Sequence, residues 1–205
     1  MTAQLSNVLP FNNEGVFLSK DGKGSWLQTG SGGRVSVLDP RPEEFRLDDI
    51  ARATAKLCRF NGHCIDFYSV AQHCVLGAKF ALKNISYFVA KEFLLHDATE
   101  AYVGDMIRPV KIMIPEFGVV EDRFTVAIGK KFNTPTKMSP ECHLIDNIMV
   151  TWEKRDLLPN SEAWPRLPDI SIYNFPTLRC WGWRKAEREY LKMYERLFNG
   201  KGANT

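Results

Sequence analysis

Four side chains of metal-ligating type stand in apolar surroundings in this sequence: His73, the adjacent pair His96-Asp97, and Asp146. Asp97 follows Phe93-Leu94-Leu95, and Asp146 lies between Leu144-Ile145 and Ile148-Met149. A carboxylate buried without a partner is costly, so folding alone explains these acids poorly. One divalent ion satisfies all four, through two imidazole nitrogens and two carboxylate oxygens presented by three different helical segments. Glu100 follows His96 by one helical turn, which puts it on the same face and near the ion without making it a ligand. An ion that acidifies water, with a carboxylate beside it to take or return the proton, is hydrolytic chemistry.

These residues need helices to bring them together, and the pattern supplies them. Asp48 or Asp49 is placed to cap a helix carrying Ile50, Ala53 and Leu57, ending near Phe60. Ser69-x-x-Gln72 reads as a capping box opening a second helix that carries His73 and runs to about Leu82. A third is expected over 87–102 with His96-Asp97 inside it, and a fourth over 116–132. A fifth starts at Ser139-Pro140 and runs to about Leu157, carrying Asp146. Before them, residues 26–38 read as a short hairpin around Gly30-Ser31-Gly32-Gly33. After them comes a proline-rich loop (Pro159, Pro165, Pro168, Pro176), long enough to be a lid or an oligomer contact. The last helix buries Trp183, Ala186, Tyr190, Met193 and Leu197 as a core stripe. The expected fold is mainly α, with a small N-terminal β-hairpin. Its parts are an N-terminal segment 1–25, partly disordered; a catalytic core 26–157; and a loop and helix over 158–205 packed on that core.

Composition narrows the class. Of 205 residues 44% are hydrophobic and 25% charged, which is ordinary soluble usage. No apolar run is long enough for a membrane span, and the opening MTAQLSNVLPFNNEGVFLSK lacks the pattern of a secretion signal. The net charge is only +3 and the longest basic cluster is Lys130-Lys131, so no nucleic-acid footprint is expected. The five cysteines form no CxxC pair, and an odd count suits reduced thiols in a cytoplasm.

The order His73, His96-Asp97, Asp146 resembles the HD-domain metal-dependent phosphohydrolases. The stretches RFNGHCIDFYSVAQH (59–73) and LLHDATEAYVGDMIRPVK (94–111) are similar to a bacterial and phage branch of that family. That branch includes the bacterial deoxyribonucleoside 5′-monophosphatases and the dATP triphosphohydrolases of phages that replace adenine with 2-aminoadenine. The resemblance spans residues 26–157, and the tail carries no motif of it. It implies metal ligation by His73, His96, Asp97 and Asp146, with Glu100 as catalytic acid/base and Asp105 as a second catalytic acid. It further implies phosphate contacts from Arg59 and Lys111, and a base and sugar placed near Phe60, Asn61, Gly62 and His63.

Each residue also has a structural alternative. Asp146 can pair with Lys154 or Arg155, Asp105 can cap the turn before Pro109, Arg59 can be a surface ion-pair residue, and Glu100 can face solvent. His143 is not taken as a ligand.

The ligand set suits Co, Mn, Zn or Ni, with Mg as a second ion beside a triphosphate. The implied reaction is attack by water at the phosphorus nearest the sugar, turning dATP into deoxyadenosine and triphosphate. The alternative is a deoxynucleoside monophosphate giving deoxynucleoside and phosphate, and a lesser one is a nucleotide-binding sensor without turnover. An oxygenase of this fold needs more histidines than the four present. Alarmone hydrolysis is disfavoured because Ala101 follows Glu100. Relatives of this kind assemble, so a homo-oligomer from dimer to hexamer is expected, in the cytoplasm of a cell or of a phage's host.

Overall fold

The hairpin is where the glycines place it. Strand β1 (Trp26–Gln28) pairs antiparallel with β2 (Arg34–Ser36), in the register Trp26 to Ser36, Leu27 to Val35 and Gln28 to Arg34. Gly32, at φ 83°, supplies the left-handed residue of the turn. The structure, a computed structural model, describes residues 25–158, 164 and 167–200. The expectation of disorder in the N-terminal segment falls on residues 1–24, outside the described residues, and so do Pro159 and Pro165 of the proline-rich loop.

Among the described residues eight α-helices follow: α1 (Leu47–Lys56), α2 (Val70–Asn84), α3 (Tyr87–Leu95), α4 (Glu100–Val103), α5 (Arg108–Lys111), α6 (Pro115–Phe132), α7 (Pro140–Leu157) and α8 (Trp183–Tyr194). The fold is mainly helical with one small hairpin. No described helix is long and apolar enough to cross a membrane.

Neither Asp48 nor Asp49 caps α1. Its N-cap is Arg46, and Asp49 instead accepts from the Ser31 backbone N–H and hydroxyl, both at 2.7 Å. That carboxylate pins the hairpin turn to the helical body. Helix α1 also stops at Lys56 rather than near Phe60, because the chain goes extended and pairs Cys58 with Ser69.

Helix α2 is the central element, packed by α1, α3, α7 and α8. Ser69 caps it as expected, accepting from Gln72 N–H at 3.1 Å. Gln72 does not complete the capping box. Its amide donates to the Arg179 carbonyl and accepts from Trp181 N–H, each at 2.8 Å, which ties down the C-terminal segment. Gly77 lets α3 approach closely: a Cβ there would lie 2.0 Å from Cε1 of Phe93. Phe93 therefore lies against α2 and sets the end of α3 beside His73.

The third helix is not continuous over 87–102. It ends at Leu95, and residues 96–99 turn before α4 begins at Glu100. Tighter bonds such as Ala98 N–H to Leu95 O and Glu100 N–H to Asp97 O, at 3.0 and 3.1 Å, carry the chain across the break. Helix α7 has the Ser139 cap and first-turn proline expected of it. Its start is fixed by Glu92 of α3, which accepts from Ser139 N–H at 2.6 Å and from its hydroxyl at 2.8 Å. Helix α8 buries Ala186, Tyr190 and Met193 on the core, and Leu197 follows in a wider final turn over Glu195–Asn199. The Tyr190 hydroxyl donates to the Leu94 carbonyl at 2.8 Å, bracing α3 just before its break.

Candidate metal centre

Helices α2, α3 and α7 converge on one cluster. His73 projects from the first turn of α2 and has no solvent exposure. His96 sits at the C-cap of α3, where Phe93 leads the chain against α2, and the two imidazoles are 5.3 Å apart between centroids. In each ring Nδ1 is engaged: His73 Nδ1 is 2.6 Å from Glu153 Oε1, and His96 Nδ1 is 2.7 Å from the Phe93 carbonyl. In each ring Nε2 is buried without a hydrogen-bond partner.

Both free Nε2 atoms face carboxylates. Asp97 Oδ2 is 3.1 Å from His96 Nε2 and 3.8 Å from His73 Nε2, and Asp146 Oδ1 is 3.3 Å from His73 Nε2. Donors each about 2.1 Å from one tetrahedral ion are about 3.4 Å apart, so these spacings are compatible with shared ligation of one ion. Atoms of His73, His96 and Asp97 lie mutually close enough to hold one ion. Asp146 adjoins them through His73. An orphaned pair of imidazole nitrogens with oxygen partners is a donor set that fits a first-row divalent ion. The pairing of Asp146 with Arg155 does not occur, since Arg155 bonds Asp156 at 2.7 Å.

The electrostatics follow from burial and crowding. Burial opposes charge on His96, but the Asp97 carboxylate beside it prevails and lifts its pKa to about 9. Burial and the Arg59 charge both oppose protonation of His73, and Glu153 and Asp146 outweigh them, so it too is raised. The carboxyls of Asp97 and Asp146 are held below the usual range. Burial opposes ionisation of each; both imidazoles offset it, and Arg59 helps at Asp97.

Arg59, only 8% exposed, is no surface residue. Its Nε donates to Glu153 Oε2 at 3.2 Å and its Nη1 to Asp97 Oδ2 at 3.3 Å. The backbone that delivers it is unusual, because Phe60 and Asn61 directly after it have φ of 56° and 50°. Phe60 is half-buried, edge-on to Trp164 at 6.4 Å, whereas Asn61, Gly62 and His63 are exposed. Those three do not join the cluster.

Glu100 opens α4 with Oε2 buried and without a hydrogen-bond partner, so it does not simply face solvent. Burial first, then the negative charges of Asp97 and Asp105, push its pKa well up and so favour its protonated form. Asp105 is half-buried and is raised by its own burial, with Arg59 opposing and Asp97 reinforcing. It does not cap the turn before Pro109, as α5 has Ile107 at its N-cap without a side-chain bond. Lys111 is tied to Glu121 of α6 by an ion pair. It lines a cavity of about 520 Å³ beside the cluster, together with His96, Asp97, Glu100 and Asp122. His143 is exposed at the rim of that cavity.

Glu153 was not singled out by sequence reasoning. It has no solvent exposure and receives Arg59, Tyr68 (hydroxyl at 2.9 Å) and His73 at once. Burial opposes its ionisation, but the charges of Arg59 and His73 and the hydrogen bonds from His73 and Tyr68 hold it below its ordinary value.

No family model matches the chain. It is 42% identical over 120 residues to the uncharacterized protein RCAP_rcc00048 of Rhodobacter capsulatus, covering 55% of this chain and 61% of that one. It is 35% identical over 147 residues to the uncharacterized protein YfdR of Escherichia coli K12, covering 71% of this chain and 80% of YfdR. On that extent of similarity, the chain belongs to the protein family of YfdR.

Proposed function

We propose that the protein is a metal-dependent phosphohydrolase that cleaves the phosphoester bond nearest the sugar of a deoxynucleotide. The observation that carries this reading is the pair of buried, unpartnered Nε2 atoms of His73 and His96 turned toward Asp97 and Asp146. A divalent ion held by those four residues supplies Lewis acidity toward a water and a phosphate oxygen. The resemblance to the HD-domain phosphohydrolases supplies the substrate class, with dATP giving deoxyadenosine and triphosphate as the favoured reaction.

The chain's own residues divide the remaining work. Arg59 sets a permanent positive charge next to Asp97, where it offsets charge on a bound phosphoryl group. Glu100, a buried carboxyl whose surroundings favour its protonated form, gives its proton to the departing sugar oxygen and is reprotonated by the proton that the attacking water loses. Asp105 helps hold that proton by its negative charge. A binding module has no use for a buried acid kept neutral in this position, and this favours turnover over sensing.

The charge of the adjacent cavity favours a second reading of the substrate. Glu92, Asp97 and Asp122 line it against Lys137, while Lys111 there is already paired with Glu121. Such a wall suits a monophosphate better than a triphosphate, unless Mg accompanies the triphosphate. The test is product identification with Co-reconstituted protein offered dATP and dAMP separately, with Mg present. Triphosphate and deoxyadenosine from dATP establish the favoured reaction, and orthophosphate from dAMP alone selects the monophosphatase. Neither product, with metal bound and nucleotide retained, overturns hydrolysis in favour of a sensor.

A further inference from the structure

Asp146 and Glu153 lie seven residues apart on α7, two helical turns, and so on one face. Asp146 meets His73 at Nε2, and Glu153 meets the same ring at Nδ1. One helix thus grips both edges of one imidazole. An ionised carboxylate only accepts, so the bond at Nδ1 requires the proton there and leaves the Nε2 lone pair free in the neutral ring. The second oxygen of Glu153 takes Arg59 Nε–H at 3.2 Å. With Nη1 on Asp97, the guanidinium is fixed at two points, and Nη2 makes no hydrogen bond to a described residue. Tyr68 adds a third donor to the same carboxylate, on the oxygen that faces His73.

We propose that Glu153 is a positioning residue: it fixes His73 as the Nδ1–H tautomer for metal ligation and aims Arg59 at the bound anion. The proposal rests on the metal-centre reading above and extends it to a residue outside the ligand set. One buried carboxylate then couples the imidazole that faces the ion to the cation that faces the phosphoryl group. Glutamine is nearly isosteric there but cannot satisfy the site. Its single oxygen serves either His73 and Tyr68 or Arg59, and its amide opposes a donor in the first case and invites the wrong tautomer in the second.

The experiment is Zn titration of apo wild type, Glu153→Gln and Glu153→Asp, with inorganic phosphate binding measured on the Zn-loaded forms. Gln is expected to weaken Zn binding about 10- to 100-fold and to weaken phosphate binding as well. Asp keeps the charge and is expected to recover most of the Zn affinity. A merely structural role for Glu153 would lower the melting temperature but leave the Zn affinity of the folded protein unchanged, and that result overturns the proposal. Wild type that takes up no Zn overturns the metal centre itself, which separates the two failures. If Glu153→Gln does not fold, proton NMR of Zn-loaded wild type decides. A His73 Nδ1–H signal protected from solvent exchange supports the bond to Glu153, and a rapidly exchanging one overturns it.

Discussion

The two sides of the candidate site are built differently. On one, His73, His96, Asp97 and Asp146 come from α2, α7 and the end of α3, and the two imidazoles are held from behind by Glu153 and the Phe93 carbonyl. On the other, the substrate candidates lie on the turn after Cys58 and on the segment around α5. Of these, Arg59 reaches the cluster, Asn61, Gly62 and His63 face solvent, and Lys111 is paired with Glu121. The candidate ligands stand on packed helices or on the turn where the Tyr190 bond braces the end of α3. The candidate substrate groups stand on a short turn and a four-residue helix, with Arg59 alone anchored into the cluster.

The sharpest break in that contrast is Asp97→Ala. Among the described residues Asp97 is the one carboxylate that approaches both Nε2 atoms and Arg59. Its loss is expected to abolish metal retention through gel filtration, and turnover with it, which metal analysis by mass spectrometry checks. Full metal occupancy in the variant would remove Asp97 from the ligand set. Glu100→Gln should behave oppositely. Metal stays bound, while turnover falls about 10²- to 10⁴-fold because the neutral acid is gone. A variant that keeps near-native activity rejects Glu100 as the proton carrier.

Most of the candidate cluster was legible in the sequence, because a polar side chain among apolar neighbours is a local anomaly. His73, Asp97 and Asp146 all carry that mark. Glu153 does not, since it sits in Trp152-Glu153-Lys154-Arg155-Asp156, where charged neighbours make it read as part of a solvated face. Its one signal was the seven-residue step from Asp146. The break after Leu95 was also hidden. Nothing in LLHDATEAYV punctuates a helix, and tertiary packing of Phe93 and Leu94 against α2 and α8 ends it where propensity would not. The position of Asp49 suits a cap, whereas its bond to Ser31 is a long-range contact that local sequence does not reveal.

Metal removal gives a smaller, graded effect with a defined sign. In the metal-free protein His96 has its pKa raised to about 9, and His73 is raised as well. Protonated imidazole therefore stabilises the metal-free fold fully below the unfolded value of about 6.5, and this contribution is lost as pH rises through about 9. A metal needs the neutral rings, so its binding must displace those protons. Metal affinity, and the rise in melting temperature it produces, should both increase from pH 6.5 to 9. Calorimetry in buffers of different ionisation enthalpy should register the released protons. Affinity that is flat over this range would take both histidines out of the ligand set.

The smallest effect is expected on the substrate side. Lys111 is over one-third exposed and already spends its charge on Glu121. A pair of that exposure contributes at most about 1 kcal/mol, so Lys111→Ala should leave the melting temperature nearly unchanged. If the ion pair persists with substrate bound, KM should rise by no more than a few-fold and kcat should hold, since the charge was never committed to phosphate. Glu121→Gln sharpens the result by freeing the lysine while keeping its cavity position. If Lys111→Ala instead raises KM tenfold or more, and Glu121→Gln lowers it, Lys111 exchanges Glu121 for the phosphate on binding. The α5 segment then moves during the cycle while the ligand helices stay still, and the contrast between the two sides becomes one of motion as well as position.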